Sequence, residues 1–271
     1  MGNKTLGALG AILILTGAAG CDFVRWKAAE YYAKARRFPE AIRAYEDVAR
    51  RSLDRPRACR AHVRAGDIYA KELSRCEEAR RHYESAVRGF EEQAACVEQA
   101  KAGLLSCPDY FPTDAGRTWV YGDSASKGKN MRLEWELRLS KDGKREIVGG
   151  LFAGNKKISD QNAKYAKEGW AVWEETAGGK TVILRYPYQT GQSWEGRSGG
   201  HPVEFSVEDD AARVETAAGV FTGCLKVKER DRRFPGTWKI TYYAPGVGRI
   251  KTSIGGPGFE NPNTELLSWK K

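Results

Sequence analysis

Two hydrophobic rhythms divide this chain. Between residues 23 and 106, small and apolar positions recur at helical spacing; from Tyr110 onward they alternate, one in and one out. The first stretch has little Gly, much Ala and Arg, and regularly spaced aromatics. Its periodicity predicts helices over 24–36, 38–51, 57–71, 75–89 and 91–106, the last closing the series. Pro39 and Pro56 suit first turns, where a missing N–H costs nothing. Ser74-Arg75-Cys76-Glu77 reads as a capping box with Ser74 at the cap, and Pro108 stops the last helix. In the second stretch Met131, Leu133, Trp135, Leu137 and Leu139 alternate with Arg132, Glu134, Glu136 and Arg138. That is a strand with one dry face and one wet face. Asp142-Gly143 then signals a hairpin into a strand over Glu146 to Phe152. Further strands are expected at 170–174, 181–186, 203–207, 212–216, 225–228, 238–243, 249–254 and 266–269. So many short antiparallel strands must curl to bury their apolar face. The fold class is therefore α+β with two domains, a helical one over 21–108 and an antiparallel β meander over 109–271, closed into a half-barrel or barrel.

The helical residues carry more than periodicity. Ala29, Tyr32, Phe38, Ala41 and Tyr45 set small and large side chains in an order that recurs at Gly66, Tyr69, Ala79, Tyr83 and Ala86. This order resembles two tetratricopeptide repeats, with Val48 where Ala is usual and Arg36 where Gly is common at the turn. A plain helical bundle is the alternative. The resemblance implies a scaffold whose first helices line a concave groove. It puts Trp26, Glu30 and Lys34 on that groove from the first unit, and Arg60, Val63, Asp67 and Lys71 from the second. Lys34, Arg60 and Lys71 suit an acidic segment or a C-terminal carboxylate, although such charges also read as a solvated face.

Ahead of the helices, Lys4 precedes an apolar run from Leu6 to Leu15 and the small residues Thr16 to Gly20. That pattern reads as a secretory signal, and it is shorter than the roughly 20 residues of a spanning helix. Cys21 follows directly. The arrangement resembles the lipobox of bacterial lipoproteins, with Ala18 where the family usually has Leu. The resemblance implies cleavage before Cys21, a diacylglyceryl group on its thiol, and a new amine open to acylation by a fatty acid such as palmitate. Residues 1–20 would be the removed signal, and more than one acyl chain holds a protein stably to a bilayer. An ordinary signal peptide with a free Cys21 is the alternative.

Composition narrows the function classes. The chain is 41% hydrophobic and 30% charged, with a formal charge of +10. The balance favours anionic lipids, acidic envelope polymers or acidic partners; no nucleic-acid motif is present, and nucleic acid is not expected as a partner. Besides Cys21 there are Cys59, Cys76, Cys96, Cys107 and Cys224. Five is odd, so one thiol stays free or pairs between chains, and the spacing does not decide connectivity. No GxSxG, HExxH, phosphate loop or dinucleotide fingerprint occurs, so no catalysis, cofactor or metal is expected.

Several phrases of the β half resemble a β-rich domain of bacterial envelope proteins. They are Tyr110-Phe111-Pro112 with Gly116-Arg117-Thr118-Trp119, Tyr186-Pro187 with Gly191-Gln192-Ser193-Trp194, Ala218-Gly219-Val220-Phe221, and Tyr242 to Gly248. The likeness implies a curved half-barrel, an architecture whose members in some cases carry lipids or lipoproteins on the concave side. Taken together, the expected protein is a membrane-anchored envelope lipoprotein acting as a non-catalytic scaffold for another envelope protein. The alternative is a carrier of a lipid or other apolar ligand on the concave β face, and a third reading is attachment to anionic polymers or lipids.

Overall fold

Small residues set the spacing of the helices. In the computed structural model, which describes residues 22–271, the helices are α1 (22–34), α2 (Phe38–Arg51), α3 (Arg55–Asp67), α4 (Cys76–Gly89) and α5 (Ala94–Leu105). The expected signal and the expected lipidation at Cys21 fall outside the described residues. Ala29 on α1, Ala41 on α2, and Ala61 and Ala65 on α3 are fully buried in one cluster. No side chain beyond Cβ holds these backbones apart, so Tyr45, Ile42 and Val48 fill the space that remains. The same pairing of small and large recurs at Ala79, Tyr83 and Ala86 on α4, where the sequence pattern places it.

Two disulfides staple this unit: Cys59–Cys96 joins α3 to α5, and Cys76–Cys107 ties the start of α4 to the residue two beyond α5. Cys224 is the odd thiol, free and buried, and burial pushes it up to about 11, so it is an inert core residue.

The expected capping box does not form. The third helix continues through a π-helical turn, Ile68–Glu72, before the chain reverses at Ser74, whose φ is 54°. Ser74 therefore ends one helix in the left-handed region, and Arg75 takes the N-cap position of α4 with no side-chain cap bond. Arg75 instead pairs with Glu78 in the first turn. Arg36 sits in the same conformation between α1 and α2, at φ 56°. A side chain in this region costs roughly 1 kcal/mol that Gly does not incur. Arg36→Gly is expected to raise the stability of the helical unit by about 0.5–1 kcal/mol in a urea titration, since the exposed Arg36–Glu72 pair that it loses is worth little.

The chain from Pro108 forms the second unit. Its strands are β1 (Thr118–Asp123), β2 (Met131–Leu139), β3 (Arg145–Ala153), β4 (Lys156–Glu168), β5 (Ala171–Thr176), β6 (Gly179–Arg185), β7 (Ser193–Ser198), β8 (His201–Thr216), β9 (Gly219–Asp231), β10 (Trp238–Ala244), β11 (Gly248–Gly256) and β12 (Phe259–Lys270). All neighbours are antiparallel, in the order β6-β5-β4-β3-β2-β1-β12-β11-β10-β9-β8-β7. Two expected strands, 203–207 and 212–216, are one strand, β8, interrupted by bulges against β9. The polar β4 carries no apolar alternation and was not legible as a strand.

The sheet is a nearly closed barrel rather than an open half-barrel. Its edges, β6 and β7, meet through a seam without a backbone ladder. Trp194 Nε1 donates to Val182 O at 3.1 Å, and the Arg197 amide donates to Thr181 Oγ1 at 2.7 Å. Gly196 allows this approach, because a Cβ there would lie 2.8 Å from Thr181 Oγ1 and 2.6 Å from the Phe205 ring. Closure removes the exposed edges that invite pairing with other chains.

One end of the barrel is plugged by the residues that lead into β1. Phe111 enters against Tyr165, with ring centroids 4.6 Å apart. Backbone and side-chain bonds hold it there: Gly246 N to Asp109 O at 2.8 Å, Tyr110 Oη to Gly223 O at 3.0 Å, and Arg145 Nε to Thr113 O at 2.7 Å. Trp119 Nε1 and Arg117 Nη1 donate to the carbonyls of Val247 and Gly246 in the adjoining turn. Of the phrases that resemble an envelope domain, Tyr110-Phe111-Pro112, Gly116 to Trp119 and Tyr242 to Gly248 meet at this end, while Trp194 of another bridges the seam.

Candidate functional site

The helical unit holds a groove of 840 Å³ lined from α1, α3 and α5. Trp26 and Arg60 face each other across it, the Arg60 guanidinium 5.8 Å from the indole centroid. Lys71 lies on the same wall, 3.0 Å from Asp67. Glu30, Val63 and Asp67 line it too, and Lys34 flanks the adjoining hollow that shares Glu30, Asp67 and Lys71. The structure thus brings Trp26, Lys34, Arg60 and Lys71 to one concave surface. Sequence reasoning missed Lys27, Arg57 and Arg64, which line the groove as well, because nothing in the repeat pattern singles them out.

The groove is positive. Lys27, Arg57, Arg60, Arg64 and Lys71 face it against Glu30 and Asp67. Both acids are engaged. The Lys27 ammonium hydrogen-bonds Glu30 at 2.8 Å and holds its carboxyl below the usual range. Asp67 receives the Tyr83 hydroxyl at 3.0 Å as well as Lys71. Burial first, then the Asp67 charge, raises the Tyr83 phenol far enough to keep it a donor at all physiological pH. A buried Tyr therefore fixes Asp67, and Asp67 fixes Lys71 on the groove wall.

On α3 and α4, His62 and His82 lie with ring centroids 5.8 Å apart, and Tyr69 stacks on His82 at 5.5 Å. His62 Nδ1 is buried without a partner among the described residues. Burial, reinforced by His82 and opposed by Glu46, lowers His62 to about 4. His82 is lowered by burial too, and sits 3.4 Å from Glu46. The folded value lies below the unfolded one, so neutral His62 contributes stability that is present above about pH 6.5 and lost as pH falls toward 4. The helical unit is expected to lose about 2 kcal/mol between pH 7 and pH 5 in urea titrations, and His62→Phe to flatten that slope.

The second cavity is inside the barrel. It measures 250 Å³ and opens at the unplugged end, between the Gly178-Gly179 and Gly199-Gly200 turns. The adjacent acids Glu174 and Glu175 split across the β5 strand: Glu174 lines the cavity and accepts the Tyr165 hydroxyl at 2.6 Å, and Glu175 is exposed. Glu229, Lys239 and Arg249 also line it, beside Trp135 and Tyr243. The concave-face reading for an apolar ligand meets a lining that is part aromatic and part charged. Strand alternation put Trp135 on this face, and two of these last three charges keep the same period, Glu229 two residues from Val227 and Lys239 in line with Thr241 and Tyr243; of the three, only Arg249 stands beside a bulge, between the Tyr242–Lys251 and Tyr243–Arg249 pairs.

Among the described residues no helix is long and apolar enough to cross a membrane, and no three His, Cys, Asp or Glu side chains cluster as a metal site. No protein-family model and no curated protein matches the chain. Among solved structures it is similar to a chain described as a lipoprotein from Parabacteroides distasonis, with 13% identity, 59% of this chain and 98% of that one covered, and a TM-score of 0.40. An exported protein with a YmcC-like fold from Bacteroides fragilis matches at 16% identity, with the same coverage and TM-score. Neither likeness is close enough to carry a function.

Proposed function

We propose that this protein is a membrane-anchored lipoprotein of the bacterial envelope, and that it works without catalysis as a scaffold holding an acidic segment of another envelope protein. The groove of the helical unit is the observation that carries this reading. It is a concave surface with an aromatic anchor at Trp26 and a cationic wall from Arg60 and Lys71. The helical hairpins, with buried Ala at the crossings and Tyr at the gaps, support a tetratricopeptide-like array, and the signal followed by Cys21 supports the anchor.

Fluorescence anisotropy with an acidic peptide tests the groove. Binding is expected to weaken with salt, and at least about tenfold in Arg60→Glu with Lys71→Glu, as for charge-assisted contacts. Equal binding of a basic peptide, or no effect of the double substitution, overturns the scaffold reading. Intact mass measurement of the cellular protein tests the anchor: an initiator Met with no added lipid mass overturns it.

A further inference from the structure

The barrel cavity has a floor rich in donors and short of acceptors. Arg249 projects there with its guanidinium carbon 4.0 Å from the Trp135 ring centroid and 4.7 Å from that of Tyr121. Among the described residues it forms no salt bridge. Arg249 Nε and Trp135 Nε1 are both buried and have no acceptor among the described residues. The nearby carboxylates are committed elsewhere, Glu174 to the Tyr165 hydroxyl at 2.6 Å and Glu229 to Lys239 at 3.1 Å. Arg249 is half-buried with a buried Nε, and a partly desolvated cation outside any ion pair gains from an anionic partner, because aromatic faces compensate only part of the water it has lost. The walls around it are flat rings: Phe111, Trp135, Tyr165 and Tyr243. Gly residues at the mouth leave the entrance low, and 250 Å³ has room for about eight waters or one small molecule.

We propose that the barrel interior is a binding site for a small, flat organic carboxylate, recognised by the Arg249 guanidinium and packed against the aromatic walls. A planar guanidinium matches a carboxylate with two parallel bonds, which an ammonium cannot do. An acid with a planar body also uses the ring faces that an inorganic anion leaves bare. The lining disfavours a lipid tail, because Glu174, Glu229, Lys239 and Arg249 would lose water without gaining a partner. The committed state of Glu174 and Glu229 disfavours a cation. This site does not depend on the helical groove or on the membrane anchor.

Benzoate is the probe, followed by the indole N–H resonance of Trp135 in the full chain, which Trp135→Phe identifies. Benzoate is expected to shift that resonance saturably, with Kd in roughly the millimolar range. The neutral isostere benzamide and inorganic phosphate are expected to bind at least about tenfold more weakly, as is benzoate to Arg249→Lys, which keeps the charge and loses the fork. Absence of a benzoate shift overturns the site. Equal binding of benzamide overturns the role of the charge, and equal binding of phosphate overturns the role of the flat body. Undiminished binding in a folded Arg249→Gln also overturns the proposal. Should both Arg249 variants fail to fold, the comparison of benzoate with benzamide on the unaltered protein still decides it.

Discussion

Reducing the two disulfides is expected to unfold the helical unit at neutral pH and room temperature. The core of that unit is built largely from Ala: Ala29, Ala41, Ala61, Ala65, Ala79, Ala86 and Ala100 are all fully buried. Each Ala brings helices close but removes little apolar area from water, so the hydrophobic term per buried residue is small. The bridges offset this by restricting the unfolded chain. Closing loops with sequence separations of 37 and 31 is worth about 4 kcal/mol each in the chain-entropy account. The two loops interleave, so their sum falls short of twice that figure. It is still comparable to the roughly 5–15 kcal/mol that holds a whole domain folded. Circular dichroism at 222 nm, followed through a urea titration with and without dithiothreitol, measures the effect. Cys59→Ser and Cys76→Ser should each lower the midpoint, and the pair most. A midpoint indifferent to reductant would show that the Ala-rich packing suffices without staples.

Tyr83→Ala is the substitution with the largest expected effect. The Tyr83 ring is wedged between α3 and α5, where a Cβ on Gly66 would come within 2.7 Å of it and one on Gly103 within 2.4 Å. Only Gly lets both helices close on the ring. Truncation leaves a cavity between three helices and is expected to cost about 3–5 kcal/mol. Gly103→Ala strains the same contact from the other side and should cost about 1–3 kcal/mol. Tyr83→Phe keeps the ring and loses the bond to Asp67, a loss of about 1 kcal/mol, and it frees the Asp67–Lys71 pair on the groove wall. Urea titration of the three variants orders them. A Tyr83→Ala change below about 1 kcal/mol would show that the helices collapse onto the gap and that the wedge is dispensable.

The helical half was readable because its signals are local. Buried Ala at Ala41 and Ala79, Tyr at Tyr45 and Tyr83, and Pro in the first turns of α2 and α3 each act within one helical turn or one hairpin. Where reading failed, a longer-range demand had won. Ser74 looks like a cap, but the π-helical turn carries α3 further, and the reversal needs a left-handed residue there. In the β half, the alternation of β2 and the Asp-Gly turn were legible. The strand β4 was not, because its residues are mostly polar and its place is set by pairing with β3 and β5 on either side. The groove residues Trp26, Arg60 and Lys71 came from the tetratricopeptide resemblance, which implies their positions; they stand on α1, α3 and the π-helical turn, and helical phase alone does not bring separate elements to one surface.

By itself the sequence determined which side chains the helices and the clearly alternating strands such as β2 offer to each face, and where the two kinds of rhythm change over. Only the tertiary structure decided which cysteines meet, that β6 and β7 close the sheet into a barrel, and that Arg249 stands on an inner floor without an ion pair among the described residues. Periodicity is a property of neighbours along the chain. A disulfide, a seam or an orphaned charge is a property of residues tens of positions apart, whose meeting depends on the bulges and crossings of everything between them.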